Sequence, residues 1–407
     1  MGKFVTGPKI LWKVIVRELH QLVSRPIYLF SIVIAPLLSY AFFLSLMDNG
    51  LPEELPTAVV DLDHSATSRN LTRQFTTVSS LSITTEYTSF TEARKAMQKS
   101  EIFGFVIIPP SFEADLYANR RPEISYYTNS AYFIPSALEF RSFKTTTTLA
   151  AAAAVQQTLL ARGEYERDIM PQIQPITVDM HPLGNPWTNY SIYLNNTFLP
   201  GILEVIILLT TIFSIGSEIK HSTSREWLRI ADDNILLAIT GKLLPQTILF
   251  FIMGALCQSL LYGYFQFPLQ NGIWPMLAAM LLFVMALQGL SIFFICIAPS
   301  LRIALSIGGL FGVVSFSLTG FSFPAEAMYP AFHLLTDILP LRHYFIIYAD
   351  QALNGVPFYY SRMHWRCLYI FFWLYLSCLC SNEHCASKCT SPDFTTILQW
   401  KTDFSNR

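Results

Sequence analysis

The sequence predicts an α-helical polytopic membrane protein of about six spans, with an α/β (or α+β) domain inserted on the extracytoplasmic side between the first two. Three observations carry this. The chain is 52% hydrophobic and only 14% charged, with a mean hydropathy of +0.39, too apolar for an ordinary globular protein. Apolar runs close to the ~20 residues needed to cross a bilayer recur along it. Between the first two of these runs, residues 48–197 are polar and carry strand and helix patterns of their own.

Residues 1–26 read as a cytoplasmic interfacial helix. Ile10, Leu11, Val14, Ile15, Leu19, Leu22 and Val23 recur at helical spacing among Lys3, Lys9, Lys13, Arg17 and Arg25, whose charge holds the N-terminus inside. The first span, 27–47, is too long for a cleaved signal peptide and reads as a signal anchor. It delivers 48–197 to the outside.

Within that segment Thr57–Asp61, Leu81–Tyr87, Ile102–Ile108 and Glu123–Tyr127 have strand composition. Helical patterns at Ser65–Thr77, Thr91–Lys99, Ser111–Ala118 and Pro135–Arg162 separate or follow them. None of the seven cysteines falls there, so the domain must hold together by its own core. That suits a bacterial envelope better than a eukaryotic secretory route. Asn70, Asn189 and Asn195 open sequons that matter only in a glycosylating host.

Residues 198–380 read as a membrane domain with spans two to six: 198–217, 243–265, 275–298, 303–318 and a short last run from Arg366 to Cys380 of about 15 residues. The loop 218–242 is a charged island whose Lys220, Arg225, Arg229 and Lys242 mark it as cytoplasmic. Ser222, Thr223 and Ser224 can cap a short helix there, with Glu226 in its first turn and Trp227, Leu228 and Ile230 on an apolar side. Such a helix rests on headgroups or docks a soluble partner. Residues 320–362 are apolar but broken by Pro324, Pro330, Pro340 and Pro357, and read as short re-entrant or interfacial helices on the outer side. The polar tail 381–407 does not continue the pattern, and a departure of the reading frame near Ser377 would explain both it and the short last span.

Few residues carry chemistry. Glu204 lies inside the second span, where a carboxylate is costly and so a functional candidate, unless water at the rim caps it. Gln258 and Gln288 suit interhelical hydrogen bonds. His333, Asp337 and His343 are scattered over a proline-broken loop, and Cys378, Cys380, Cys385 and Cys389 with His384 match no common metal-site spacing, so no metal is expected. Asp61, Asp63 and His64 follow a strand, where Asp63 or Ser65 as a helix N-cap is the simpler reading. A net charge of −1 and the lack of basic runs with interleaved aromatics exclude nucleic acid as a partner.

Four stretches, in order, resemble the type-2 ABC exporter permeases, specifically the subgroup with a large extracytoplasmic domain after the first span. They are Arg17-Glu18 followed by Ser24-Arg25-Pro26; Ala58-Val59-Val60-Asp61-Leu62-Asp63; Glu218-Ile219-Lys220 with Thr223, Arg225-Glu226 and then Gly241-Lys242-Leu243-Leu244-Pro245; and Gly320-Phe321-Ser322-Phe323-Pro324 with Met328, Pro330, Pro340-Leu341 and Tyr344. Where that family often has a glycine before the threonine of its coupling loop, this chain has Ser222. The resemblance implies an exporter half in a bacterial inner membrane, paired with a second permease chain as a homo- or heterodimer and driven by a separate ATP-binding subunit. ATP and magnesium would sit on that subunit, and no cofactor on this chain. Glu218, Thr223, Arg225, Glu226 and Trp227 would couple to the ATPase; Glu204, Phe323, Pro324 and Met328 would lie along the substrate path. A periplasmic adaptor and an outer-membrane channel are further partners on family grounds.

The residues agree on one point: no G-x-x-x-x-G-K-[ST] occurs, since Gly241-Lys242 runs into Leu243, so this chain is not expected to be the ATPase or another enzyme. An ion- or proton-coupled transporter would want several intramembrane carboxylates, and Glu204 is nearly alone. A membrane-anchored sensor using 48–196 as receptor would want fewer spans and an output domain.

Overall fold

The computed structural model describes residues 7–48, 50–118, 120–174, 181, 183–186, 188–298 and 300–381, with all of their side chains except those at 166, 333 and 374–381. The chain divides into two units, Met1–Asp48 with Pro182–Arg407, and Asn49–His181.

The first unit begins with α1, Gly7–Ser24. It stops there because Pro26 disfavours helical backbone at Arg25, which is extended at φ −105° and ψ 114°. Pro26 then opens α2, Pro26–Leu46, apolar and long enough to span a membrane. A π-helical turn, Phe30–Ile34, sits ahead of Pro36, whose missing N–H removes one bond from the ladder. The sequence groups the apolar residues of α1 on one face, and the structure divides them. Val14 and Leu22 are buried together with Glu18, while Leu19 and Val23 join Trp12 and Val16 on an exposed stripe. The buried side takes Glu18 because its partners lie inside the unit.

The second unit is built on a four-stranded sheet in the order β2-β1-β3-β4, where β1 is Leu55–Asp61, β2 Leu81–Glu86, β3 Gly104–Ile108 and β4 Ser125–Thr128. β1 runs parallel to β2 and β3, and β4 pairs antiparallel with β3. Between and after the strands come α3 (Ala66–Thr76), α4 (Phe90–Gln98), α5 (Phe112–Tyr117), α6 (Phe133–Ala161) and α7 (Glu166–Ile173). Because strand side chains alternate, β1 feeds two cores. Val59 joins Leu71, Phe75, Val106 and Phe143 on one face; Ala58 and Val60 join Ala93, Ala96 and Phe105 on the other. Ser65 and Ser89 cap α3 and α4 through their hydroxyls. Asp63 does not cap α3 but accepts the Glu113 N–H of α5; burial works against its charge, yet hydrogen bonds from the Ser65 hydroxyl and the backbone at Ser111, Phe112 and Glu113 together hold its carboxyl below the usual range.

One charged group is enclosed in this unit. Glu139 of α6 is fully buried and accepts a 3.0 Å hydrogen bond from Thr57, while its Oε2 has no partner. Burial pushes its carboxyl up to about 7 against the Thr57 bond. Gly104 makes room for it, since a Cβ there would stand 2.6 Å from Oε2.

The chain resumes with α8 (Tyr190–Lys220), α9 (Ser224–Ile230), α10 (Ile235–Tyr264), α11 (Ile273–Ile297) and α12 (Leu301–Leu318). With α2, helices α8, α10, α11 and α12 make five among the described residues that are long and apolar enough to cross a membrane. α8 and α11 are the most enclosed. α12 meets α8 through a stripe of small residues, Ala304, Gly308, Gly312 and Ser315; a Cβ at Gly312 would stand 2.6 Å from Val205.

Two expectations change. The island 218–242 is mostly helix rather than loop: Asn234 caps α10, which runs through Gly241, Lys242 and Pro245. The helix continues across Lys242 because its charge is met from neighbouring helices. The interval 320–362 is broken into short helices as its prolines predict, among them α13 (Pro330–Thr336) and α14 (Pro340–Tyr348). The last run does not start at Arg366: α15 is Phe358–Ser381, 24 residues and so ~36 Å long, with polar first turns that hide its start in the sequence. Cys385, Cys389 and His384, the tail 382–407, the side chains of Cys378, Cys380 and His333, and Lys3 lie outside the described residues.

Candidate functional site: a buried charge cluster beneath the short inter-span helix

α9 sits on a cluster of charges contributed by three helices. Glu18 comes from α1, Glu218 from the last turn of α8, and Lys242 from the second turn of α10; all three are buried. Lys242 Nζ donates to Glu18 Oε2 at 2.6 Å and to Glu218 Oε1 at 3.1 Å. Arg17, one residue along α1, grips Glu218 with both guanidinium nitrogens, at 2.8 and 3.0 Å. Burial works against the Arg17 charge, yet the hydrogen bonds and charge of Glu218 raise its guanidinium above the ordinary arginine value.

Neutral donors complete the shell. Gln246, one turn beyond Lys242, donates to Glu18 Oε1 and to Ser214, each at 2.8 Å, and Ser214 lies one turn before Glu218. Gln21 donates to Glu218 at 3.2 Å. Two carboxylates and two cations make the cluster neutral, which is the condition for holding charge in a low-dielectric interior. α1 approaches α10 closely enough that a Cβ at Gly241 would stand 2.8 Å from Val14.

α9 is fastened to this cluster from above. Thr223, at its N-cap, makes no capping bond; its hydroxyl donates instead to the Glu218 carboxylate and to the Glu218 carbonyl. The Lys242 ammonium lies 5.5 Å from the centre of the Trp227 ring. Arg225, Glu226 and Arg229 are exposed on the opposite side of the helix.

The residues singled out in the sequence therefore separate into two kinds. Glu218, Thr223 and Trp227 form the inner fastening; Trp227 is 1% exposed and has no surface to offer a partner, which corrects its reading as a docking contact. Arg225 and Glu226 form the outer side. Sequence reasoning missed Glu18, Lys242, Gln246 and Ser214 as one site. The legible signal was polar residues one turn from the charges: Ser214 before Glu218 and Gln246 after Lys242.

Glu204 is elsewhere on α8, fully buried, with a 3.3 Å hydrogen bond from Ser315 of α12 and no partner on Oε1. Phe323 and Pro324 are exposed and Met328 partly buried, so Glu204 does not open to a surface with them. Nearby, Tyr193 donates to the Phe321 carbonyl at 2.5 Å, and Phe198, Phe316 and Phe321 stack into one aromatic group. Gln258 and Gln288 are interhelical partners: Gln258 donates to the Met276 carbonyl at 2.9 Å, and Gln288 accepts from Thr247 at 2.6 Å. His343 bonds the Asp337 carbonyl and faces His364 at 3.0 Å; among the described residues no group of three or more side chains assembles to hold a metal.

Compared with known proteins, residues 26–379 match the family model described as ABC-2 family transporter protein. No curated protein matches the chain.

Proposed function

The chain belongs to the ABC-2 transporter family, and on that premise we propose that it is the permease subunit of an ATP-driven exporter of a bacterial inner membrane, in the subgroup with a large extracytoplasmic domain after the first span. It works with a second permease chain and a separate ATP-binding subunit, and α15 serves as a sixth span. The observation that supports the reading best is the construction of α9. A charged outer side, Arg225, Glu226 and Arg229, is backed by Thr223 and Trp227, which tie the helix to a cluster joining α1, α8 and α10.

A load on such a helix is carried into the spans. The ATPase docks on Arg225 and Glu226, and closure of its two copies presses α9 inward. Because Glu218 and Lys242 sit at the ends of α8 and α10 and Glu18 on α1, these three helices tilt together. The exposed side of α12, with Leu310 and Val313, suits a second permease, while its glycine side packs on α8. Substrate then passes between the two permeases along α8 and α12 towards Phe323, Pro324 and Met328, and Glu204, enclosed behind Ser315, meets it when α12 parts from α8. An adaptor and an outer-membrane channel would extend that route.

The test is co-expression with a candidate ATP-binding subunit, purification by a tag on this chain, and measurement of bound ATPase and of its activity. Glu226→Ala is expected to fold normally, changing stability by less than ~0.5 kcal/mol as an exposed substitution does, and to lose stimulation of ATP hydrolysis. Undiminished coupling in Glu226→Ala would sink the docking assignment, and absence of any associated ATPase would sink the exporter reading.

A further inference from the structure

Arg362 and Arg366 lie one turn apart on α15, within a stretch that enters the membrane unit, and both are exposed. With Leu282 of α11 and with Phe358, Tyr359 and Trp365 they line an open groove of about 550 Å³. No carboxylate lines it, and among the described residues neither arginine is in an ion pair; Arg362 rests 4.0 Å from the centre of the Tyr359 ring. Trp365 is only 9% exposed, yet its indole N–H has no acceptor. The groove itself is almost wholly apolar, and two exposed arginines without an ion pair among the described residues border it with their stems.

Its depth is fixed by hydrogen bonds. Asn271, just before α11, donates to the Val356 carbonyl, just before α15, at 2.9 Å, so the two helices start at one level. Arg362 and Arg366 then lie ~6 and ~12 Å along α15, and Leu282 ~14 Å along α11. Trp274, Tyr264, Tyr359 and Tyr360 are exposed around the same end, the arrangement of an aromatic belt at a bilayer interface. This is the end of the membrane unit opposite α9. A guanidinium at that depth without a protein partner is costly, and the anion the surroundings supply there is a lipid phosphate.

We propose that the groove of Arg362, Trp365 and Arg366 is a binding site for the headgroup of an anionic phospholipid, whose phosphate takes both guanidinium groups and whose acyl chain runs along Leu282. The two arginines give the fork geometry that suits phosphate oxygens. Tyr359 holds Arg362 in place. The site is separate from the cluster under α9 and does not depend on what the protein exports.

The probe is phosphatidylglycerol against phosphatidylcholine, counted as lipid retained on the purified full chain by native mass spectrometry. Phosphatidylglycerol is expected to be retained roughly 25-fold better, since each of the two basic side chains near an anionic lipid contributes roughly a factor of five. Arg362→Gln with Arg366→Gln should bring the ratio near one, and Arg366→Gln alone should lower it about fivefold. The elution profile and unfolding temperature of each variant show whether it folds; if the double variant does not, Arg366→Gln alone must lower the ratio. Equal retention of the two lipids by the unaltered chain would overturn the proposal, since it would leave the arginines reaching for headgroups in general. Unchanged preference in a folded variant would overturn it too. So would loss of self-association in place of lipid preference, which would make the groove an interface between copies.

Discussion

Among the described residues, the membrane unit buries carboxylates in two places and treats them in opposite ways. Beneath α9, Glu18 and Glu218 share Lys242, Arg17 closes on Glu218 with two hydrogen bonds, and Gln246, Gln21, Ser214 and Thr223 fill remaining acceptor sites. On the same α8, Glu204 has Ser315 alone and an oxygen with no partner. Matched charge makes a joint: it fixes four elements relative to each other and is costly to open. Unmatched charge adds little to holding helices together and leaves a group ready for something else. Two carboxylates on one helix thus serve mechanical connection in one case and a candidate ligand contact in the other.

That contrast can be tested by removing charge at each place. The largest effect is expected for Lys242→Ala, which strands Glu18 without a cation and should lower stability by about 3–5 kcal/mol, read as unfolding in detergent. Replacing the pair together, Glu18→Gln with Lys242→Met, should recover most of the loss, because buried pairs exchange for neutral groups at small net cost. A Lys242→Ala chain as stable as the parent would mean that the cluster is no joint.

Glu139 of the sheet unit sharpens the comparison, being buried with one hydrogen bond as Glu204 is, but outside the membrane spans. Its carboxyl is raised from 4.5 to about 7, so the folded state holds the proton more tightly than the unfolded chain. Its contribution to stability is full below pH ~4.5 and is lost as pH rises through about 7, on the order of 3 kcal/mol across that window. Unfolding followed against pH should show this slope, and Glu139→Gln should flatten it. The smallest effect on stability is expected for Glu204→Gln, less than ~1 kcal/mol, because the Ser315 bond persists and no cation is stranded. Transport should nevertheless fall in that variant. A loss of stability as large as that of Lys242→Ala would place Glu204 with the joint.

Much of the architecture was legible beforehand because it rests on local pattern. The four strands and the helices between them follow period-two and period-3.6 spacing, Ser65 and Ser89 announce helix starts, and five spans stand out by length and apolarity. α15 was misjudged for the same reason in reverse: Arg362, His364 and Arg366 interrupt the apolar run although the helix runs on through them. Trp227 looked like a surface contact because a short helix between charged residues does not reveal which side is covered.

By itself, then, the sequence determined the spans, the inserted sheet unit and the charged island, since each depends on residues a few positions apart whose spacing sets what a helix or strand can bury. Only the tertiary structure decided that Glu18 and Lys242, 224 residues apart, meet at 2.6 Å, and that Glu204 meets no cation. Which faces of which helices come together is a property of packing over long separations, and the pairing of buried charges follows from those faces.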